Sequence, residues 1–228
     1  AVHAIYEQDG DLDFVQELYP KLERYHKWWY TDRDHDRDGL CEFGSTDGSL
    51  IAAKWESGMD NAVRFDQSEI VKNSDQAFSL NQESADLNAY LYLEKKLLAS
   101  LAESLGMDDS AAQWLSQAQQ LKQNIQKQFY DPIDGWYYDT NLDGNPFIRA
   151  KGSDGWTPLF AEVATMEQAI SIRDQMLDTT LFYSRVPFQT LSLSNAAFNP
   201  TKGYWRGPNW LDQTYFGIQG LKHYGFDK

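Results

Sequence analysis

Between residues 85 and 130 the sequence carries two long amphipathic stretches separated by only Gly106 and Met107. In the first, Leu87, Tyr90, Leu91, Leu93, Leu97, Leu98, Leu101 and Leu105 recur at helical spacing. In the second, Trp114, Leu115, Ala118, Leu121, Ile125 and Phe129 do the same, and Asp131-Pro132 stops the run. Gly106 is a helix stop. So short a link forces the two helices to lie antiparallel and in contact. A buried helical hairpin of this length needs other helices to cover it. The spacing of Phe14, Leu18, Leu22, Tyr25 and Trp29 predicts one over 11–30. A short helical pair is expected over 158–164 and 165–177, and a last helix over 209–224. Residues 136–138 read as a short strand, 182–188 as extended, and the Gly- and Asp-rich 31–53 as a long loop. No strand-helix-strand alternation and no repeat breaks this pattern. The fold class expected is all-α, with 1–228 as a single unit of paired helices and long loops. Helical periodicity does not distinguish a toroid from a bundle.

Charge narrows the function. The 228 residues hold 20 Lys and Arg against 34 Asp and Glu, a net charge of −14. That balance disfavours nucleic acid and anionic membrane surfaces, which both select cationic faces. No stretch is apolar enough to span a bilayer, and no signal peptide is visible. The single Cys41 excludes an intrachain disulfide. Eight Trp, thirteen Tyr and twelve Phe make 14% of the chain aromatic. Aromatic rings with polar edges in an acidic protein suit a neutral polar ligand such as a sugar, though they also suit a well-packed core.

Four motifs can carry chemistry. Asp34, Asp36, Asp38 and Glu42 occupy positions one, three, five and nine of a loop with Gly39 at six and Leu40 at seven. That is the opening of an EF-hand calcium loop, with the Leu40 carbonyl as a further ligand, but Ser45 stands where the twelfth-position acid belongs. Completion from elsewhere or by water is expected, and an acidic solvated turn is the plain alternative. In Trp55-Glu56-Ser57-Gly58-Met59-Asp60-Asn61, two carboxylates lie four residues apart beside a Trp and a Gly. A carboxyl held against apolar surface has a raised pKa, as a general acid requires, although acid pairs on solvated loops are common. Tyr204-Trp205-Arg206-Gly207-Pro208-Asn209-Trp210 packs aromatic faces and directional donors between Gly and Pro, which suits sugar recognition as well as a helix start. Gly155-Trp156-Thr157-Pro158-Leu159-Phe160 is another loop-to-helix entry with a Trp. The four His residues show no metal-ligand spacing, His26 reads as helix packing, and no nucleotide-binding or serine-hydrolase motif is present.

Taken in order, these motifs, with the run Tyr30-Thr31-Asp32-Arg33-Asp34-His35-Asp36 leading the first, resemble the family-63 glycoside hydrolases over roughly residues 10 to 228. Bacterial glucosidase-like members are the nearer kin on this reading, with trehalases and mannosylglycerate hydrolases further off. The resemblance implies part of an (α/α)6 toroid with its active site on the loop side, and an inverting α-glucosidase-like mechanism. It places the general acid on Asp60 and a structural Ca2+ on Asp34, Asp36, Asp38, Leu40 and Glu42. It assigns Trp205 and Arg206 to the sugar pocket; on the same reading Trp210, Trp156, Asn61 and Glu56 join the substrate-binding residues, and Glu56 orients the acid loop.

An inverting hydrolase needs a second carboxylate roughly 6.5–9.5 Å from the first, with water between them. The resemblance puts that base on a Glu well downstream of the Trp205-Arg206-Gly207-Pro208 block. Asp212 and Asp227 follow the block, and neither has that context. The expectation is therefore the central portion of a catalytic domain, incomplete at both ends, whose partner is the rest of the same domain and whose substrate is a small carbohydrate. Two rival readings stand: a degenerate sugar-binding homologue, and a calcium-binding helical interaction protein. The calcium loop and a start at Ala1 lean toward the periplasm or secretion.

Overall fold

The computed structural model describes residues 1–226; Asp227 lies outside the described residues. The helices carry the architecture. Helix α1 is Val2–Asp9 and α2 is Leu12–Asp32. Asp11 starts α2 by accepting the Phe14 N–H at 3.0 Å. Helix α3, Leu50–Glu56, is capped by Ser49 and lies partly in what the sequence reads as a long loop. Helices α4, Ala85–Ser104, and α5, Asp108–Gln128, form the expected hairpin and pack along each other. The single turn α6, Thr157–Phe160, follows a 3-10 turn over Ser153–Trp156. Helix α7, Met166–Met176, opens with a capping box between Thr165 and Gln168, and α8 is Leu211–His223. The expected pair over 158–177 is thus one turn and one helix. Residues 182–188 form no strand.

Short strands tie the loops down. Strand β1, Gly44–Ser45, pairs with β3, Phe78–Leu80, which pairs in turn with β2, Ile70–Lys72. Strand β4, Gln82–Glu83, meets β7, Thr140–Asn141, and β5, Tyr130–Asp131, meets β6, Trp136–Tyr137. None was expected except the last region. Each is too short to show an alternating hydrophobic pattern, so sequence periodicity had nothing to report.

One core cluster runs from Trp29 and Phe43 through Leu87 and Leu91 to Trp136, Trp156 and Phe182. A second, at the α1–α2 end, joins Val15, Tyr19, Leu98, Leu101 and Trp114. Among buried charges, Arg64 stands out. It pairs with Asp86 at 2.7 Å, Asp139 at 3.2 Å and Asp154 at 3.9 Å, all of them buried. Burial opposes the Arg64 charge, and the three carboxylates hold it protonated. Burial pushes Asp154 up to about 7, against the pull of Arg64. Gln82, Ser84 and the Ala85 N–H also donate to Asp139, so the group fixes the start of α4 against the segment after the acid motif.

Candidate active site

Asp60 follows the end of α3, where Ser57 and Gly58 turn the chain. Gly58 takes φ 72, a left-handed value that few side chains tolerate. Asp60 is half-buried, and its Oδ1 is buried with no hydrogen-bond partner. Its neighbour Asn61 makes the decisive contacts. Asn61 Nδ2 donates to Gly203 O at 3.0 Å, and its Oδ1 accepts the Trp205 N–H at 2.9 Å. Arg206 Nε donates to the Asn61 carbonyl at 2.7 Å, and Arg206 also pairs with Asp66. Segments 140 residues and more apart are therefore clamped together, with Asp60 at the junction.

On the other side of the clamp, Trp205 and Trp210 stack with centroids 4.1 Å apart and planes 11° apart. Trp210 Nε1 donates to Tyr204 O at 3.0 Å, while the buried Trp205 Nε1 has no partner. Tyr204 is exposed and meets Trp210 edge-on. Tyr204 and the half-buried Trp210 keep aromatic surface open to solvent, whereas Trp205 is buried against Trp210.

Trp156 and Glu56 have structural roles, and for Glu56 it is the loop-orienting role expected of it. Trp156 is 0% exposed, packed among Trp136, Phe182 and Phe188, with Nε1 donating to Gln213 O at 3.2 Å. It is a core side chain with no face left for a ligand. Glu56 receives both Nε and Nη2 of Arg33 at 2.8 Å, and the Gly44 N–H at 2.6 Å. Its two oxygens join the end of α2, β1 and the acid loop, so it positions the loop. Arg206, read as a pocket residue, spends Nε and Nη2 on the clamp.

The acidic loop is a separate centre. Gly39, at φ 89, makes the sharp turn, and its N–H donates to Asp34 Oδ2 at 3.2 Å. Asp38 Oδ1 accepts the Leu40 N–H at 2.8 Å, and Glu42 Oε2 accepts the His35 N–H at 3.1 Å. Oxygens of Asp34, Asp36 and Glu42 lie within 4.8 Å of one another, and so do those of Asp36, Asp38 and Glu83. Glu83, on β4, has no counterpart in the sequence reading: it lies far along the chain from Glu42, and only the β-sheet packing brings it in. The Leu40 side chain itself is buried. Asp34 Oδ1, Glu42 Oε1 and Glu83 Oε1 are buried without partners. Burial, with neighbouring carboxylates adding to it, raises Asp34 to about 6 and Glu42 and Glu83 to about 9. Orphaned buried carboxylate oxygens converging from one loop and one strand are the donor set a hard divalent cation takes.

The fold is thus all-α, with the Asp60 loop clamped to a tryptophan-rich loop. The chain belongs to the mannosylglycerate hydrolase MGH1-like glycoside hydrolase domain family, whose model matches residues 1–228. It is 25% identical to a mannosylglycerate hydrolase of Thermus thermophilus, over 99% of this chain and 63% of that protein. It is 24% identical to a trehalase of Dictyostelium discoideum, over 74% of this chain and 34% of that one. The fold matches a solved structure of a family-63 mannosylglycerate hydrolase, also from Thermus thermophilus, in complex with glucose. The TM-score is 0.80 at 23% identity, over 99% of this chain and 61% of that one. The chain thus spans less than two thirds of these relatives. The resemblance to family-63 glycoside hydrolases is borne out; within that family the matching relatives are mannosylglycerate hydrolases, which the sequence placed further off than glucosidase-like members.

Proposed function

We propose that this chain supplies the acid half of an inverting glycosidase site for a small α-linked glycoside of glucose or mannose. The observation that carries the reading is the Asn61 clamp, which ties the segment carrying Asp60 to the loop of the Trp205–Trp210 stack. Asp60 would protonate the glycosidic oxygen as the leaving group departs, while the aromatic faces seat the ring. A general base outside residues 1–228 would take a proton from the attacking water on the opposite face. On this reading 1–228 are one unit within an (α/α)6 catalytic toroid. The names of the relatives support mannosylglycerate and trehalose as the first substrates to try.

Calcium belongs to the same reading. Asp34, Asp36, Asp38, Glu42 and Glu83 would hold it, with the Leu40 carbonyl, and the ion would pin the loop that leads into α3. Its chemistry there is structural charge neutralisation.

The test is hydrolysis of mannosylglycerate, trehalose and α-glucobioses by this chain and by the longer protein, with the released anomer followed by NMR. The β-anomer appearing first, and no turnover in Asp60→Asn with its fold intact, is the expected result. Near-wild-type rates in Asp60→Asn sink the acid assignment. Equal activity in both lengths puts the base inside residues 1–228. Saturable sugar binding without turnover in either length marks a binding homologue instead.

A further inference from the structure

One cavity lies away from the acid loop. About 560 Å³ in volume, it opens between α2 and α5, with α4 as its floor and the tip of the acidic loop as one wall. Asp60, Asn61, Trp205 and Trp210 do not line it. A space of this size is typical of small-molecule sites.

Its chemistry is specific. Lys95, on the floor, is 5% exposed, and no carboxylate lies within 4.0 Å of its Nζ among the described residues. The ammonium donates to Gln117 Oε1 at 3.2 Å and sits 4.3 Å from the Tyr30 ring centre. The other charges on the walls are occupied elsewhere. Glu23 pairs with Lys27 at 3.6 Å, and Asp38 turns into the acidic cluster. A buried, unpaired ammonium is costly to hold unless something supplies its counter-charge.

Two more groups are unsatisfied. His26 is 1% exposed, and its Nδ1 is 2.7 Å from Glu94 Oε2. Burial keeps the ring neutral, so the proton sits on Nδ1 facing Glu94 and the unpartnered Nε2 is an acceptor. The Tyr30 hydroxyl is also buried without a partner, and burial holds it protonated, so it is a donor. Gln120 Nε2 donates to Asn124 Oδ1 at 3.0 Å, which leaves the Asn124 amide N–H groups free at the rim. Trp114 forms an aromatic wall. Apart from the Lys27–Glu23 pair, the inventory is one unpaired cation, several neutral donors and one buried acceptor.

We propose that this cleft is a second ligand site, separate from the glycosidase centre, for a small hydroxylated oxyanion. The anionic group lies toward Lys95 and the Tyr30 hydroxyl, and a hydroxyl of the same molecule donates to His26 Nε2. A polyol carboxylate and a polyol phosphate share this chemistry.

Isothermal titration of the protein in calcium-containing buffer decides it. The probes are gluconate and glycerol phosphate, with sorbitol and sulfate as controls. Saturable binding of gluconate or glycerol phosphate, about tenfold or more tighter than sorbitol and sulfate, is expected. The tighter of the two names the source of the anion. Lys95→Met removes a buried charge, folds at least as well, and weakens binding by about tenfold or more, with partial rescue in Lys95→Arg. Asn124→Ala, at the rim, weakens it by a smaller factor, and Trp210→Ala leaves it unchanged. The proposal is overturned by affinity equal in Lys95→Met and wild type, or by binding lost in Trp210→Ala. It is overturned equally by sulfate or sorbitol matching the hydroxylated anions, or by no saturable binding. None of these outcomes depends on turnover at Asp60.

Discussion

Asn61 is the residue on which the active-site reading turns. Its amide is used at both ends, one to a carbonyl and one to an N–H of the aromatic loop, and its own carbonyl takes Arg206. A side chain of this length with one donor and one acceptor is the smallest that can make such a clamp. Asn61→Ala breaks two of the three contacts and leaves Asp60 in place chemically, on a loop no longer tied to the aromatic loop. The expected result is a fall of about a hundredfold in kcat/KM with little change in the circular dichroism spectrum. A rate within a few-fold of wild type shows that the clamp does not position the acid. The sequence pointed to Asn61 only through the resemblance. Its contacts join residue 61 to 203 and 205, and no local pattern reports such a pairing. Glu56 shows the converse: the sequence placed it near the acid, and the structure explains why, through Arg33 and Gly44.

At the scale of elements, the acidic loop joins helix α2 to the sheet and to α3. Its spacing was legible because calcium loops require oxygens at alternate positions and a turn at the sixth. The missing twelfth-position acid was legible too. What would complete the cluster was not: Glu83, whose carboxylate lies within 4.8 Å of those of Asp36 and Asp38, comes from β4, a two-residue strand whose partner β7 lies far along the chain. Stripping calcium with EDTA is expected to lower Tm, because several buried carboxylates then face one another unpaired. Calcium, but not magnesium at equal concentration, restores it. The restoring titration also releases protons at neutral pH, since Glu42 and Glu83 sit at about 9 before the ion arrives. An unchanged Tm in EDTA removes the cation from the account. The helical hairpin of α4 and α5 was the most legible element of all, because helix period and a two-residue link act locally.

For the whole molecule, burial of Lys95 sets a term in stability. Its pKa falls from 10.5 to about 8, chiefly by burial, while Cys41 and Glu94 act the other way. The folded state therefore binds fewer protons than the unfolded state between those values, and stability rises with pH there. The penalty is full below about pH 8 and relieved by about pH 10.5. In denaturant titrations Lys95→Met is expected to flatten the curve over that window and to be more stable than wild type at pH 7; an identical slope in both proteins defeats this assignment. The sequence by itself determined the all-helical class, the hairpin, the acid-rich loop and the order of the motifs. Each of these is written in spacings of a few residues, where backbone geometry alone links position to partner. Only the tertiary structure decided that Trp156 is core and Glu56 is a brace, that Glu83 joins the acidic cluster, and that Arg64 gathers three aspartates. It alone decided that Lys95 is left unpaired beneath a cleft. Those outcomes depend on which distant segments meet and which atoms lose water when they do, and a residue's type does not carry that information.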